Sequence, residues 1–543
     1  MWPTLLGTSA NWGFTTTPQP GLGGRQIPFT QGRLLGGSSA INGMSFTPTS
    51  KANVDAWEKL GNDGWAWDQF AASFAKSFTP PSAKGDEGGP IKLSVPNDPE
   101  NPWADVWYET LGGLGYPGDG DAFSGQVTGT FVNTDAIDPA TRQRSYAGNA
   151  YLGPARERGN LTVLTQAAVE KVVFDTSNPA SVVAEGVQYT KDGEIHTAKT
   201  GKEVILSAGA VNSPKILELS GIGSPELLKS LGIDVIIENE HVGENLQNHV
   251  MIGVSHQVRE GLKTMDPVAR QDPAALGAAM EAYGEQSGPL ASSGTNAVAQ
   301  LPFPGIETDE GRSELERLLA EHKSVPVDDG KTTAAFAKAH EDFVTSVLSS
   351  ADEASACYLS FPGFAWFQPD GHMAPPPQGS ENYFSVAILL SHPLSRGSVH
   401  ITSPSAASDP SKVAIDSRHL THPLDVEVLA RHLRLLGKIT TSEPLASHLV
   451  EGGKRNPGAS ASFSDMDAAK DYVRATAVGG NHPVGTCSMM ARELGGVVDS
   501  SLRVYGCANL RVCDASIIPI LPRANLLATV YGVAEHAASM IRG

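Results

Sequence analysis

The sequence is short of cysteine, of long apolar runs and of positive charge, and each shortage removes a class of protein. Four cysteines, Cys357, Cys487, Cys507 and Cys513, are scattered through 543 residues, too few for a disulfide framework. No stretch approaches the ~18 consecutive apolar residues of a membrane helix, so no membrane span is expected. Lysine and arginine number 40 against 59 acidic residues, a formal net charge of −19. A surface of that sign repels phosphate backbones, and no basic stripe interrupts it, so no nucleic-acid partner is expected. The opening Met1-Trp2-Pro3-Thr4-Leu5-Leu6 shows neither a basic region nor an apolar stretch, so no secretion signal is visible. One Asn-x-Thr sequon at Asn160 does not decide the matter, and the compartment stays open.

Three motifs that would carry chemistry are also missing. Gly113-Leu114-Gly115-Tyr116-Pro117-Gly118 fits G-x-G-x-x-G, but it follows a helical pattern from Trp103 to Leu111, and Pro117 lacks a backbone donor. A dinucleotide turn follows a strand, so this one reads as a helix stop. His419 and His422 are followed at once by Pro423 with no carboxylate–histidine pattern, so no metal site is expected. Gly36-Gly37-Ser38-Ser39 runs into Ala40 rather than glycine, which disfavours a serine hydrolase.

What is present is an ordinary globular composition, 40% hydrophobic and 18% charged, in a chain long enough for two domains. The organisation is mixed α/β without internal repeats. Glu203–Ser207 reads as a buried strand and Ala208-Gly209-Ala210 as a turn. A helix is expected from Ser213, with Ser213 as its cap and Pro214 in its first turn. Residues 161–174 and 182–190 alternate like strands about a turn near Asn178-Pro179, and 383–401 does so with a break at Ser395-Arg396-Gly397. Helical spacing runs through 311–322, 334–350 and 424–440, and a long amphipathic helix through 525–541. The stretch from about 256 to 380 matches no motif and reads as an insertion-prone helical region.

Three segments stand out. Arg33-Leu34-Leu35-Gly36-Gly37-Ser38-Ser39-Ala40-Ile41-Asn42-Gly43-Met44-Ser45 is rich in small residues. By composition it is a plain loop, although such a loop also lets backbone approach a large flat ligand. Gly209-Ala210-Val211-Asn212-Ser213-Pro214-Lys215-Ile216-Leu217 is a strand–turn–helix junction of the kind found in any α/β protein, with Val242-Gly243-Glu244-Asn245-Leu246-Gln247-Asn248-His249 just beyond it. The third pairs Asn481-His482-Pro483-Val484-Gly485-Thr486 with Leu510-Arg511-Val512-Cys513-Asp514-Ala515-Ser516 and, further on, Asn525. A histidine before proline is commonly a loop residue, and imidazole is also the side chain suited to moving a proton near neutral pH.

Taken together and in this order, the segments resemble the signatures of the glucose–methanol–choline oxidoreductases, and the string 489–499 with the entry Leu521–Asn525 is similar to fungal members. The resemblance implies a Rossmann-like FAD-binding domain from residues 1–60, 140–250 and 476–543. It also implies a substrate domain of antiparallel β-sheet and helices from 61–139 and 251–475. FAD is the implied cofactor, with Ser38, Asn42, Gly43, Met44, Ser45, Val169, Asp514, Ala515 and Leu526 as its contacts. His482 is the implied base and Asn525 the group that binds the substrate oxygen. The implied partners are a small-molecule alcohol and oxygen or another electron acceptor, with no implied oligomeric state.

Several positions depart from the family. Asn248 stands where Asp is usual, and Pro48-Thr49 where Arg-Gly is usual. The family's opening strand, glycine-rich turn and helix, which bind the ADP half of FAD, have no counterpart here. Weak FAD binding is therefore expected of the 543 residues, with strand 204–207 left at an open groove. Two other readings stay open: a non-redox cyclase of the same architecture, and an inactive remnant.

Overall fold

The computed structural model describes residues 2–83, 87–118, 120–126, 128–177, 182–322, 331–459 and 463–542. Strands dense in Val, Ile, Leu and Ala build a six-stranded sheet. Its order is Val478–Gly479, Val250–Gln257, Tyr383–Leu390, Ala356–Phe361, Ala297–Leu301 and Gly129–Val132. Every neighbouring pair is antiparallel.

Because side chains alternate across a strand, register assigns each residue to a face. Ile252, Val254, Val386, Ile388, Tyr358 and Ala299 belong to the main apolar core. The opposite face carries Met251, Ala387, Leu389, Cys357, Leu359 and Val298, which cluster with Ala524. Met251, Leu359 and Ala387 there are only partly buried.

The expected helices appear as Asp309–His322, Ala334–Leu348, Pro423–Thr440 and Leu527–Arg542. Stretch 256–380 is not wholly helical, since it supplies two strands of the central sheet. Every residue of Ala297–Leu301 is buried, so its sequence lacks the polar–apolar alternation that marks a half-exposed strand. Helix Trp103–Gly113 ends ahead of Gly115 at φ 91°, as expected of a helix stop.

Strand Val204–Leu206 pairs in parallel with Leu510–Val512. These two form a two-stranded sheet, the second strand also bridging Arg503 through Arg511, and Ile205 is 40% exposed. Beside them lies an antiparallel meander of Ala168–Asp175, Val183–Lys191 and Glu194–Lys199. Its first strand starts later than residue 161, since Gln166 takes φ 56°. The turn expected at Asn178-Pro179 falls outside the described residues.

Helix Gly209–Leu219 starts four residues before the expected Ser213, which leaves Pro214 inside it. A proline there deprives the carbonyl four residues back of its donor. Thr486 Oγ1 donates to that carbonyl, Ala210 O, at 2.7 Å, so the missing bond is replaced from the segment that carries His482.

The far end of this helix is locked by a triad of two buried glutamates around the half-buried His400. His400 Nδ1 meets Glu218 Oε1 at 2.6 Å, and its Nε2 meets Glu244 Oε1 at 2.9 Å. Burial pulls the imidazole pKa down, but hydrogen bonds and charge from both carboxylates overrule it and push it up to about 10. A folded-state pKa above the unfolded value of about 6.5 contributes stability that is complete below pH 6.5 and is lost as pH rises through 10. His400→Gln is expected to cost about 3–5 kcal/mol at pH 6, the usual result of breaking a buried ion pair. The gap from wild type should shrink by pH 10. Thermal midpoints of both proteins across that range check it, and a pH-independent gap would contradict the ionic reading.

Candidate active site

The first-signature loop is shaped by left-handed glycines and held from behind by an arginine. Gly36 takes φ 90°, and a Cβ there would stand 2.7 Å from the Tyr146 ring, so only glycine fits. Gly37 also has positive φ but faces open space. Arg144 Nη1 donates to Ser39 O at 3.1 Å and to Asn42 Oδ1 at 2.7 Å, and its Nη2 donates to Asn42 O at 2.7 Å. Asn42 Oδ1 accepts from Met44 N as well, at 3.0 Å, where Met44 turns left-handed at φ 66°. Ser45 Oγ donates to Asn133 Oδ1 at 2.7 Å, and Asn133 Nδ2 to Asp135 Oδ1 at 2.6 Å. Burial pushes the Asp135 carboxyl up to about 7.

The side chains of Asn42 and Ser45 are thus engaged by protein, and the hydroxyl of the exposed Ser38 accepts from Gly32 N at 3.0 Å, which leaves chiefly backbone and Gly43 for a ligand. Arg144 and Asn133 were not picked out from the sequence. No motif marks them, because they act through tertiary contact.

Asp514 joins two signatures. Its Oδ2 accepts from Gly209 N at 2.9 Å and from Ser213 Oγ at 2.5 Å, and its Oδ1 accepts from Ser516 N at 2.8 Å. Asp514 thereby caps both helix Gly209–Leu219 and the short turn opened by Ala515. Val169 sits half-buried in the meander opposite Tyr189, and Leu526 is buried beside Asn525.

Segment 242–249 is the spine that brings the third motif together. Gln247 exchanges backbone bonds with Val484, while Gln247 Nε2 donates to Pro519 O at 2.8 Å and Asn245 Nδ2 to Ser488 Oγ at 2.9 Å. Asn248 Oδ1 accepts from His482 N at 2.8 Å. A carboxylate oxygen could accept that bond equally well, so the exchange of Asp for Asn leaves the histidine's backbone in place.

His482 and Asn525, 43 residues apart, meet at the end of this spine. Asn525 Nδ2 lies 3.4 Å from His482 Nε2, and Asn525 Oδ1 is buried without a partner. On the other side His482 Nδ1 lies 2.9 Å from Nδ1 of His249. Burial draws the His482 pKa down to about 4, so the ring is neutral at pH 7. The apolar sheet face of Met251, Leu359 and Ala387 lies beside Ala524, immediately before Asn525. A neutral imidazole and a carboxamide beside an apolar wall can together hold a hydroxyl and accept its proton.

Residues 9–251 and 393–534 match the two sequence models of GMC oxidoreductases. The chain belongs to the GMC oxidoreductase family. A curated relative, dehydrogenase mpl7 of Monascus purpureus, is 32% identical over 98% of this chain and 87% of its own length. Versicolorin B synthase of Aspergillus parasiticus is 31% identical over 98% of this chain and 78% of its own. Among solved structures, an FAD-dependent oxidoreductase from Chaetomium thermophilum superposes with a TM-score of 0.86 at 26% identity, over 98% of this chain and 90% of that one. A fungal aryl-alcohol oxidase superposes with a TM-score of 0.81 at 27% identity, over 98% and 89%. This GMC chain is therefore similar to its relatives along almost its whole length. No helix among its described residues is long and apolar enough to cross a membrane.

Proposed function

We propose that this GMC oxidoreductase oxidises an alcohol, with His482 as the base and FAD as the cofactor. The observation that carries the reading is the pairing of His482 Nε2 with the Asn525 amide at 3.4 Å. The residues present fit the cofactor. Gly37 and Gly209 are left-handed, with no atom within 4 Å of where a Cβ would stand. Asn525 Oδ1 and Thr529 Oγ1, at the start of the C-terminal helix, are buried without partners. Backbone of Ser38 and 43–45, with Val169, Ala515 and Leu526, would hold FAD, while Asn42 and Asp514 brace the segments that do so. FAD supplies the acceptor for the substrate hydride.

His482 Nε2 takes the hydroxyl proton as the carbon–hydrogen bond is weakened. The Asn525 amide holds the substrate oxygen. Helix Leu527–Arg542 begins two residues beyond Asn525, and its positive end favours negative charge developing alongside. The half-buried Met251, Leu359 and Ala387 favour an alcohol with an apolar or aromatic body. The likeness to a fungal aryl-alcohol oxidase supports that choice.

Anaerobic mixing of the flavin-loaded protein with aliphatic and aryl alcohols tests the reading. Bleaching of the flavin with one carbonyl formed per flavin is expected. The 31% identity to versicolorin B synthase gives the alternative, a non-redox cyclisation. Product formed with no acceptor while the flavin stays oxidised would replace the redox reading with that one.

A pH profile follows from the electrostatics. With His482 held down to about 4 by burial, kcat/KM should stay flat from pH 8 to 5.5 instead of bending near the ordinary histidine value of about 6.5. An inflection near 6.5 would mean that the base is solvated or is a different group.

A further inference from the structure

We propose that His249 is a positioning residue that holds the proton of neutral His482 on Nδ1, leaving the Nε2 lone pair turned toward Asn525 and the substrate. The inference rests on the reading of His482 as the base, and it concerns how that base is kept in working form.

A neutral imidazole has one N–H and one lone pair, and its two forms are chemically distinct. His482 Nδ1 and His249 Nδ1 stand 2.9 Å apart, so one of them donates and the other accepts. The far end decides which. Asn525 Nδ2 stands 3.4 Å from His482 Nε2. An amide N–H only donates, so Nε2 carries the lone pair and the proton of neutral His482 sits on Nδ1. His482 therefore donates from Nδ1, and Nδ1 of His249 accepts. The proton of the buried His249 ring then lies on its own Nε2, which has no hydrogen-bond partner among the described residues. When the base takes a proton at Nε2, the existing Nδ1–H bond to His249 disperses the new charge.

The backbone is built to let the two rings meet. Their planes cross at 87° with centroids 5.0 Å apart. Gly480 lies between their main chains and donates to His249 O at 2.8 Å. A Cβ on Gly480 would stand 3.0 Å from His482 Nδ1 and 3.2 Å from His249 Cβ. Any side chain there would push the rings apart.

Two measurements test the assignment. Ring-¹⁵N-histidine NMR of the flavin-loaded protein at pH 7, with the His482 signals identified by their loss in His482→Gln, should show His482 protonated on Nδ1. A proton on Nε2 overturns the proposal whatever the variants do. His249→Leu, which has no acceptor, should lower kcat by about 10- to 10³-fold at nearly unchanged KM, since a base held in its wrong form is lost to the reaction. His249→Asn places an amide oxygen close to the former Nδ1 and should recover most of that loss. A merely space-filling role would not separate the two variants in this way. If His249→Leu stays folded and turns over at the wild-type rate while His482→Ala does not, the positioning role is wrong and the base assignment stands. If His482→Ala is also unimpaired, the underlying reading fails instead.

Discussion

Replacing His482 with alanine is expected to slow alcohol turnover by about 10²- to 10⁴-fold, the usual contribution of a positioned base. The effect should fall on the reductive step. The ring stands where the Asn525 amide reaches its Nε2, and among the described residues no carboxylate bonds to it. Flavin content should change little, because the loop and caps proposed to hold the cofactor are tied together by Arg144 and Asp514 and not by His482. Asn525→Ala is the internal comparison. It removes one hydrogen bond to the substrate oxygen, about 0.5–1.5 kcal/mol or two- to twelvefold. A packed loop histidine would behave differently, since its loss would lower the thermal midpoint or change nothing. The decisive measurements are the anaerobic flavin-reduction rate, flavin content and thermal midpoint of each variant. A folded His482→Ala protein that keeps its flavin and reduces it at the original rate would remove the mechanism.

The parts of this site that could be read from the sequence are those where chain order carries the information. His482, Asn525, Asp514 and the loop 33–45 sit in strings whose order resembles a family, and the long helices show themselves by periodicity. What stayed hidden depends on partners distant in sequence. His249 was read only as the end of a similar segment, because nothing local says that its ring meets one 233 residues away. Arg144 and Asn133 brace the first-signature loop from some 90 to 105 residues away, in a stretch without a motif. The start of helix Gly209–Leu219 was misplaced because its donors are satisfied by Asp514 and its proline gap by Thr486. A tertiary cap overrode the local cap expected from Ser213. Strand Ala297–Leu301 was missed because burial on both faces removes the alternation that would have marked it.

Acid should unfold this protein at a pH where its net charge would argue for stability. Among the described residues, six buried histidines and the half-buried His482 are held neutral, and burial lowers His422 and His536 in the same direction. Burial takes His256, His392 and His432 down to about 3, and His419 and His482 to about 4. It drives His249 and His340 well below the ordinary value, and neighbouring positive or histidine rings add to the effect. Their local bonding suits the neutral form, as where Ser355 and Tyr358 hydroxyls take both nitrogens of His432 at 2.7 and 2.9 Å. A histidine whose folded pKa lies below its unfolded value of about 6.5 gives stability that is present above 6.5 and is lost as pH falls, because the unfolded chain takes the proton first. At pH 5 each such ring costs about 2 kcal/mol. Four carboxyls oppose them. Burial raises Asp135 to about 7 and also lifts Glu218, Asp266 and Glu353, so these take up protons in the folded state as pH falls. The lowered rings outnumber the raised carboxyls, so unfolding takes up protons near pH 5 and stability falls as pH falls. At about 2 kcal/mol a ring, the loss is large beside a total stability of about 5–15 kcal/mol. The thermal midpoint at constant ionic strength should therefore fall steeply from pH 6.5 to 5. Charge repulsion alone argues the other way, because the net charge of −19 at pH 7 relaxes toward zero at the pI of about 5.2. A midpoint that holds or rises between pH 6.5 and 5 would show that the rings are solvated and that surface charge dominates.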